Sequence, residues 1–410
     1  MRYYKNIELS KRFGIGGNTI TRWIEGSIAG KNELQITEQK LLTKDKSIWR
    51  IISNTHNEKV LTRLFQEGRS KNHVSLKKEI VIDTGSLKLF STKQISELIN
   101  AIEDKHIPMK MTYMFNGSDI WNNFVSEGKK TGDYTTTKKT EELLDIFEAH
   151  LTTLNPDNKK INFFDVGCGN FLPVQSFINR LNKKNLLEKY IAVDISQELL
   201  DIAEKEALKT LRQDQILKIQ NDFELENLNE NANPIRDENT MNIIALLGST
   251  IGNYLDQRVI LSHLRESLIK DDLLIISNKM DSEIDKSRFN HILENNDQFL
   301  WIPALLGIDT GDVQFNAYYD GKKDHRVIAM KLDKDYSFTF TFPDSKKVRK
   351  IYLHSSDQII LWHHRMSKIE DLPLQYSRAG LEFLAFFKSK DDNVGMFINK
   401  KKNYPNRLSS

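Results

Sequence analysis

Only one cysteine, Cys168, occurs in the 410 residues, which excludes a disulfide framework and any zinc site built on several thiolates. Proline (8) and glycine (19) are too scarce for a collagen-like or low-complexity chain. No apolar run approaches the roughly 18 residues needed to span a bilayer. The opening Met1-Arg2-Tyr3-Tyr4-Lys5 is not followed by the apolar stretch of a secretory signal. These absences predict a soluble, cytoplasmic protein without membrane contact. Excess charge is also small, at +3, but it is unevenly spread. Residues 1–78 hold 16 Lys and Arg against 7 Asp and Glu, a net +9, which leaves −6 for the rest. A basic segment ahead of a mildly acidic body points to a polyanion partner for the first and a separate task for the second.

The length is too great for one ordinary core and predicts two or three domains. The first segment, residues 1–75, reads as helical and basic, with Gly68 to Lys71 as a polar linker. From Phe163-Phe164-Asp165-Val166 onward, strands alternate with helices: Tyr190 to Asp194, Ile216 to Ile219, Met241 to Leu247 and Leu273 to Ile276. That alternation implies right-handed βαβ crossovers and a parallel sheet. After about Asn316 the pattern becomes rich in strands.

Asp165-Val166-Gly167-Cys168-Gly169 ends the first of these strands. Its two glycines allow a tight turn and close approach of backbone N–H groups to a ligand at the carboxyl edge of the sheet. Asp194 ends the next strand, 25 residues beyond Gly169, where a carboxylate accepts both hydroxyls of a ribose. Asp222 lies just past the third strand, where a carboxylate can accept an adenine amino group. The third glycine of a dinucleotide fingerprint is missing, which argues against a pyrophosphate-bearing cofactor. S-adenosylmethionine (SAM) fits better.

Leu246-Leu247-Gly248-Ser249-Thr250-Ile251-Gly252-Asn253 resembles the LGSTIGN signature of the histidine-specific methyltransferase family of the ergothioneine pathway. Asn221-Asp222-Phe223-Glu224 is similar to the DFE that follows that family's third strand. Ile107-Pro108-x-Lys110-x-x-Tyr113-x-x-x-Gly117-Ser118-x-x-Trp121 resembles its LPxKYxYxxxGSxLF stretch. Tyr134 with Thr140 to Leu144 resembles its EYYPTRTE segment. The resemblance runs over roughly residues 105–400. It implies an α/β fold: a Rossmann-like class I methyltransferase sheet with a second α+β substrate-binding domain; the first 75 residues, which it does not cover, read as a small N-terminal helical module. The expected domains are 1–75, 76–155 (part of the substrate-binding domain), 156–280 (SAM-binding) and 281–410 (β-rich, substrate-binding). It also implies that Asp165, Gly167, Gly169, Asp194, Asp222 and Gly248 hold SAM, and that Tyr113, Gly248 and Asn253 line the acceptor's amino-acid end.

The family grips an imidazole with a Glu-x-Ser-x-Lys-Tyr segment. Here Leu361-Trp362-His363-His364-Arg365-Met366 stands in its place and lacks the acidic residue, so the acceptor need not be histidine itself. Adjacent residues on a strand point to opposite faces. That predicts His363 at the acceptor with His364 outside, and no metal held by the pair.

In the basic segment, Phe13-Gly14-Ile15 and Asn18-Thr19-Ile20-Thr21-Arg22-Trp23 resemble a helix-turn-helix. Leu9, Phe13, Ile20 and Trp23 would form its core, and Asn18, Thr21 and Arg22 would face a groove of double-stranded DNA. The expected activity is methyl transfer from SAM to a small amine or amino acid. A DNA-binding regulator that uses the methyltransferase body as a ligand sensor is the alternative. Nucleic-acid methylation is disfavoured: no Asn-Pro-Pro-Tyr motif is present, and the lone cysteine lies in the cofactor loop.

Overall fold

The computed structural model describes residues 9, 17–29, 33–40, 47–53, 55–72, 78–87, 91–114, 117–131, 135–237, 239–269, 271–281, 289, 291–292, 299–342, 347–391 and 393–402. The chain forms two compact units, Met1–Lys78 and Glu79–Ser410.

The first unit contains α1 (Gly17–Ile28), β1 (Ile36–Lys40), β2 (Ser47–Ile51) and α2 (Thr55–Asn72). Ile20 and Ile24, one turn apart on α1, are buried with Leu9, Leu34, Ile51, Val60 and Leu61, and Trp23 packs against them. Asn57, at the start of α2, accepts from the Gln35 amide at 2.8 Å and donates to the carbonyls of Gln35 and Ile52. One buried amide thereby ties α2 to both strands at the open end of the β1–β2 pair. This pair corrects the all-helical expectation. Ile48, Ile51 and Ile52 fit a helical spacing on paper, but so short an apolar run does not distinguish helix from strand, and antiparallel pairing of Ile36 with Ile51 through Lys40 with Ser47 settles it. The expected linker, Gly68 to Lys71, is the last part of α2. Phe13 and Tyr134 lie outside the described residues, as do the side chains of Asn18 and Arg22.

The second unit opens with β3 (Lys78–Asp83), α3 (Thr92–Glu103), α4 (Met109–Met114), α5 (Gly117–Thr131) and α6 (Thr135–Leu154). Alternating elements follow: β4 (Lys160–Val166), α7 (Gln175–Lys183), β5 (Leu187–Asp194), α8 (Gln197–Ala207), β6 (Ile216–Gln220), β7 (Thr240–Leu246), α9 (Gln257–Glu266) and β8 (Leu273–Lys279). Then come β9 (His291–Ile292), β10 (Val313–Asp320), β11 (His325–Leu332), β12 (Tyr336–Thr341), β13 (Val348–Leu353), β14 (Gln358–Arg365), α10 (Leu372–Arg378), β15 (Leu381–Lys388) and β16 (Val394–Lys401).

Seven strands form one sheet in the order β15-β16-β8-β7-β4-β5-β6, with β8 through β6 parallel and the first two antiparallel. This is the class I methyltransferase sheet. Its central strands β4 and β7 are buried along almost their whole length because helices cover both faces. Along β4, Ile161 and Phe163 pack with α6, α7 and α8, whereas Phe164 and Val166 pack with α9 and α10.

A second core joins distant parts of the chain. Ile95, Leu98, Ile99 and Ile102 of α3 and Met111 of α4 pack against Phe315, Met330, Phe338, Ile359 and Leu361. Those residues stand on a four-stranded sheet, β14-β11-β10-β9, and a three-stranded one, β13-β12-β3. The region expected to be wholly substrate-binding, 281–410, is therefore divided. Its last strands, β15 and β16, return to the main sheet, where β16 satisfies the open edge of β8 over Val394–Asn399.

Candidate functional site

The carboxyl ends of β4, β5 and β7 and the loop after β6 converge on one cavity of about 680 Å³, which also receives α4, α5 and β14. All nine candidate residues of this unit, from Tyr113 to His363, line it. Gly167 and Gly169 adopt left-handed backbone angles (φ 70° and 53°). Only at Gly169 is space also decisive, since a Cβ there would lie 2.2 Å from the indole of Trp121. The Gly167 amide donates to the Val193 carbonyl at 2.8 Å, and the Gly169 amide to Asp194 Oδ2 at 3.3 Å. The turn is thereby bound to the end of β5.

Asp194 also accepts from the Ser196 amide at 3.1 Å. Burial raises its pKa to about 6 against the opposing pull of these amides. Asp165, wholly buried, accepts from the Tyr190 hydroxyl at 3.0 Å; burial lifts it to about 8, so its carboxyl stays largely protonated at neutral pH. Asp222 does not stand alone. Its Oδ2 lies 2.9 Å from the ammonium of Lys110, and its Oδ1 accepts the Glu224 amide at 3.2 Å.

Beyond β7, Gly248 and Ser249 are both left-handed (φ 67° and 61°), which reverses the chain into the short turn Thr250–Asn253. Asn253 Oδ1 is 2.9 Å from His364 Nδ1. A Cβ on Gly252 would lie 2.4 Å from the same imidazole, so the ring is seated directly on that glycine. His363 faces the other way, with Nδ1 3.0 Å from His106 Nε2 and its ring 5.3 Å from that of His325. The two histidines do point to opposite faces, but both are buried, which corrects the expectation that His364 lies outside: β14 is covered on both sides. Burial first, and then the neighbouring His106 and His325, lower His363 to about 3. Burial and Arg326 keep His364 well below its ordinary value. Both imidazoles are neutral at physiological pH.

Tyr113 meets Trp121 edge to face at 6.3 Å. Trp121, Lys110 and His364 were given no role by the sequence reading, although the first two fall within the quoted motif. The signal available for Lys110 was a cation in an otherwise apolar stretch, which demands carboxylate partners when buried.

Left-handed glycines at a strand-to-helix turn, a buried carboxylate at the next strand end and a large cavity above them suit an adenosine-bearing ligand without phosphate, so the residues present fit SAM. Sheet and site together define a class I SAM-dependent methyltransferase. The profile of the histidine-specific, SAM-dependent methyltransferase family matches residues 91–401, and the chain belongs to that family.

No curated protein matches the chain by sequence. Among solved structures, it is similar to a SAM-dependent methyltransferase from Clostridium acetobutylicum (14% identity, 69% of this chain and 100% of that one, TM-score 0.43). It is also similar to the CcbJ methyltransferase from Streptomyces caelestis (13%, 65% and 90%, TM-score 0.38). A third is SAM-bound CalS10, an amino pentose methyltransferase from Micromonospora echinaspora (11%, 68% and 97%, TM-score 0.36). Among the described residues, no helix is long and apolar enough to cross a membrane.

Proposed function

We propose that this enzyme methylates the amine of a small amino-acid-like molecule other than histidine. The observation that carries the reading is the composition of β14 where it lines the cavity. Where the family's segment would present an acid and a hydroxyl to an imidazole, β14 presents Trp362, His363 and His364, with His106 beside them. Two of these imidazoles are held neutral, and Asn253 is held by one of them. With its carbonyl oxygen turned to His364, the Asn253 amide keeps its two N–H donors for an acceptor's carboxylate. Tyr113 and Trp121 form an aromatic edge along the cavity they line.

SAM, when bound, supplies a methyl group already activated on a sulfonium. The protein's share is therefore alignment, which contributes roughly 7–11 kcal/mol in well-oriented systems. The acceptor amine must first give its proton to solvent to expose the attacking lone pair, and Asn253 and Tyr113 orient the neutral amine toward the methyl group. Asp194 takes the ribose hydroxyls and Asp222 the adenine amino group in this reading. Calorimetry of S-adenosylhomocysteine (SAH) binding, run beside turnover, tests it. Asn253→Ala removes turnover and leaves SAH affinity nearly intact; collapse of both would place Asn253 in the cofactor site instead.

A second reading concerns the first unit alone. Ile20, Trp23 and Ile24 turn toward its core while Thr21 is exposed, so α1 has a polar face. With the net +9 of residues 1–78, this supports contact with duplex DNA through Asn18, Thr21 and Arg22.

A further inference from the structure

A buried cation is costly unless carboxylates surround it, and Lys110 has three. Its side chain is 7% exposed, with Nζ 2.7 Å from Glu97 Oε1, 2.9 Å from Asp222 Oδ2 and 3.5 Å from Glu224 Oε2. Burial opposes its charge, but Glu224, Asp222 and Glu97 outweigh that and hold the ammonium firmly protonated. Burial in turn raises Glu224 to about 7 against the pull of Lys110, which relieves part of the surplus negative charge at neutral pH. Asp222 is clamped at both oxygens: the ammonium holds Oδ2 and the Glu224 amide holds Oδ1. Each carboxylate oxygen has a second acceptor position, so a fixed Asp222 still has one to offer the cavity it lines. Lys110 stands on α4, not on the sheet that carries the cofactor loops, and Tyr113, three residues on, also lines the cavity.

We propose that Lys110 is a positioning residue that locks the Asp222 carboxylate in the one orientation that distinguishes an adenine amino group from a carbonyl at the same place. The proposal rests on Asp222 being the acceptor for that amino group. A freely rotating carboxylate would bind either base with less discrimination. A clamped one rewards a donor and repels an oxygen, and sites built to pair a particular donor reject analogues lacking it strongly.

Equilibrium binding of SAH and of its deaminated analogue S-inosylhomocysteine to the full-length protein tests this. Wild type is expected to prefer SAH by a factor on the order of 100. Lys110→Met should cut that preference at least about tenfold, while Lys110→Arg, which restores a cation, keeps most of it. A purely structural role would weaken both ligands alike and leave the ratio unchanged, and an unchanged ratio in folded Lys110→Met overturns the proposal. If Lys110→Met does not fold, Lys110→Gln keeps the stem and a neutral donor, and the same narrowing is required of it. Absence of any preference in wild type would instead remove the adenine role of Asp222, a separate failure from that of Lys110.

Discussion

His364 and Asn253, 111 residues apart in the chain, meet through Nδ1 and Oδ1 at 2.9 Å. An amide oxygen accepts and never donates, so Nδ1 of the neutral ring must carry the proton. The imidazole thereby decides which end of the amide faces the cavity. Replacing His364 by Phe keeps the ring on Gly252 and removes the donor. Turnover should fall by about ten- to a hundredfold, with SAH affinity unchanged. Steady-state kinetics beside SAH calorimetry check this, and unchanged turnover in folded His364→Phe would mean that the imidazole does not orient Asn253.

Asp194 gives the cofactor site a pH dependence. Its carboxylate form accepts hydroxyl donors, and its pKa of about 6 lies above that of a free aspartate. SAH affinity should therefore be level above about pH 7 and fall through pH 6, by up to about tenfold per unit below it. Asp194→Asn should abolish that slope and weaken binding at pH 7.5 by about 2–4 kcal/mol. A flat wild-type profile by calorimetry would contradict the ribose assignment.

The buried imidazoles set an acid limit on stability. His363 takes a proton near pH 3 in the fold but near 6.5 when unfolded. The unfolded state thus binds more protons as pH falls below about 6.5, and stability is lost from there downward. His363→Gln should flatten the stability-versus-pH slope below pH 6.5 by up to about 1.4 kcal/mol per unit, the full amount being reached near pH 5. Chemical denaturation at four or five pH values measures it, and an unchanged slope would mean that His363 titrates normally.

Much of the sheet was legible because most of its strands hold apolar runs, and chain order alone places Gly167, Asp194 and Asp222 at or just past successive strand ends. What was not legible depends on distant pairing. Everything past Asn316 read as one β-rich region, and only the pairing of β16 with β8 and of β15 with β16 places the last two strands in the main sheet. Lys110 finds Asp222 across 112 residues, and no local spacing carries that. The β1–β2 pair was missed for the reverse reason: Ile48 to Ile52 is too short for periodicity to identify. The alternation rule for His363 and His364 was sound about direction, but it could not reveal that β14 is covered on both faces.

Duplex-DNA binding by the first unit would appear as gel retardation with a steep salt dependence, each neutralised phosphate adding about 0.9 to the log–log slope. Arg22→Ala should lower both affinity and slope, whereas Trp23→Ala should unfold the unit because Trp23 packs on its core. No retardation even at low salt would leave that unit as a packing element.

The proposed activity is SAM-dependent methylation of a small amino-acid-like amine that is not histidine. Incubating the purified protein with SAM carrying a labelled methyl group and an equimolar pool of free amino acids and small amines, then reading the label by mass spectrometry, tests it most directly. Labelled methyl is expected on the nitrogen of one acceptor or a closely related few, with histidine poor or inert and Asn253→Ala silent throughout. Label found chiefly on histidine, or only on added duplex DNA, would contradict it.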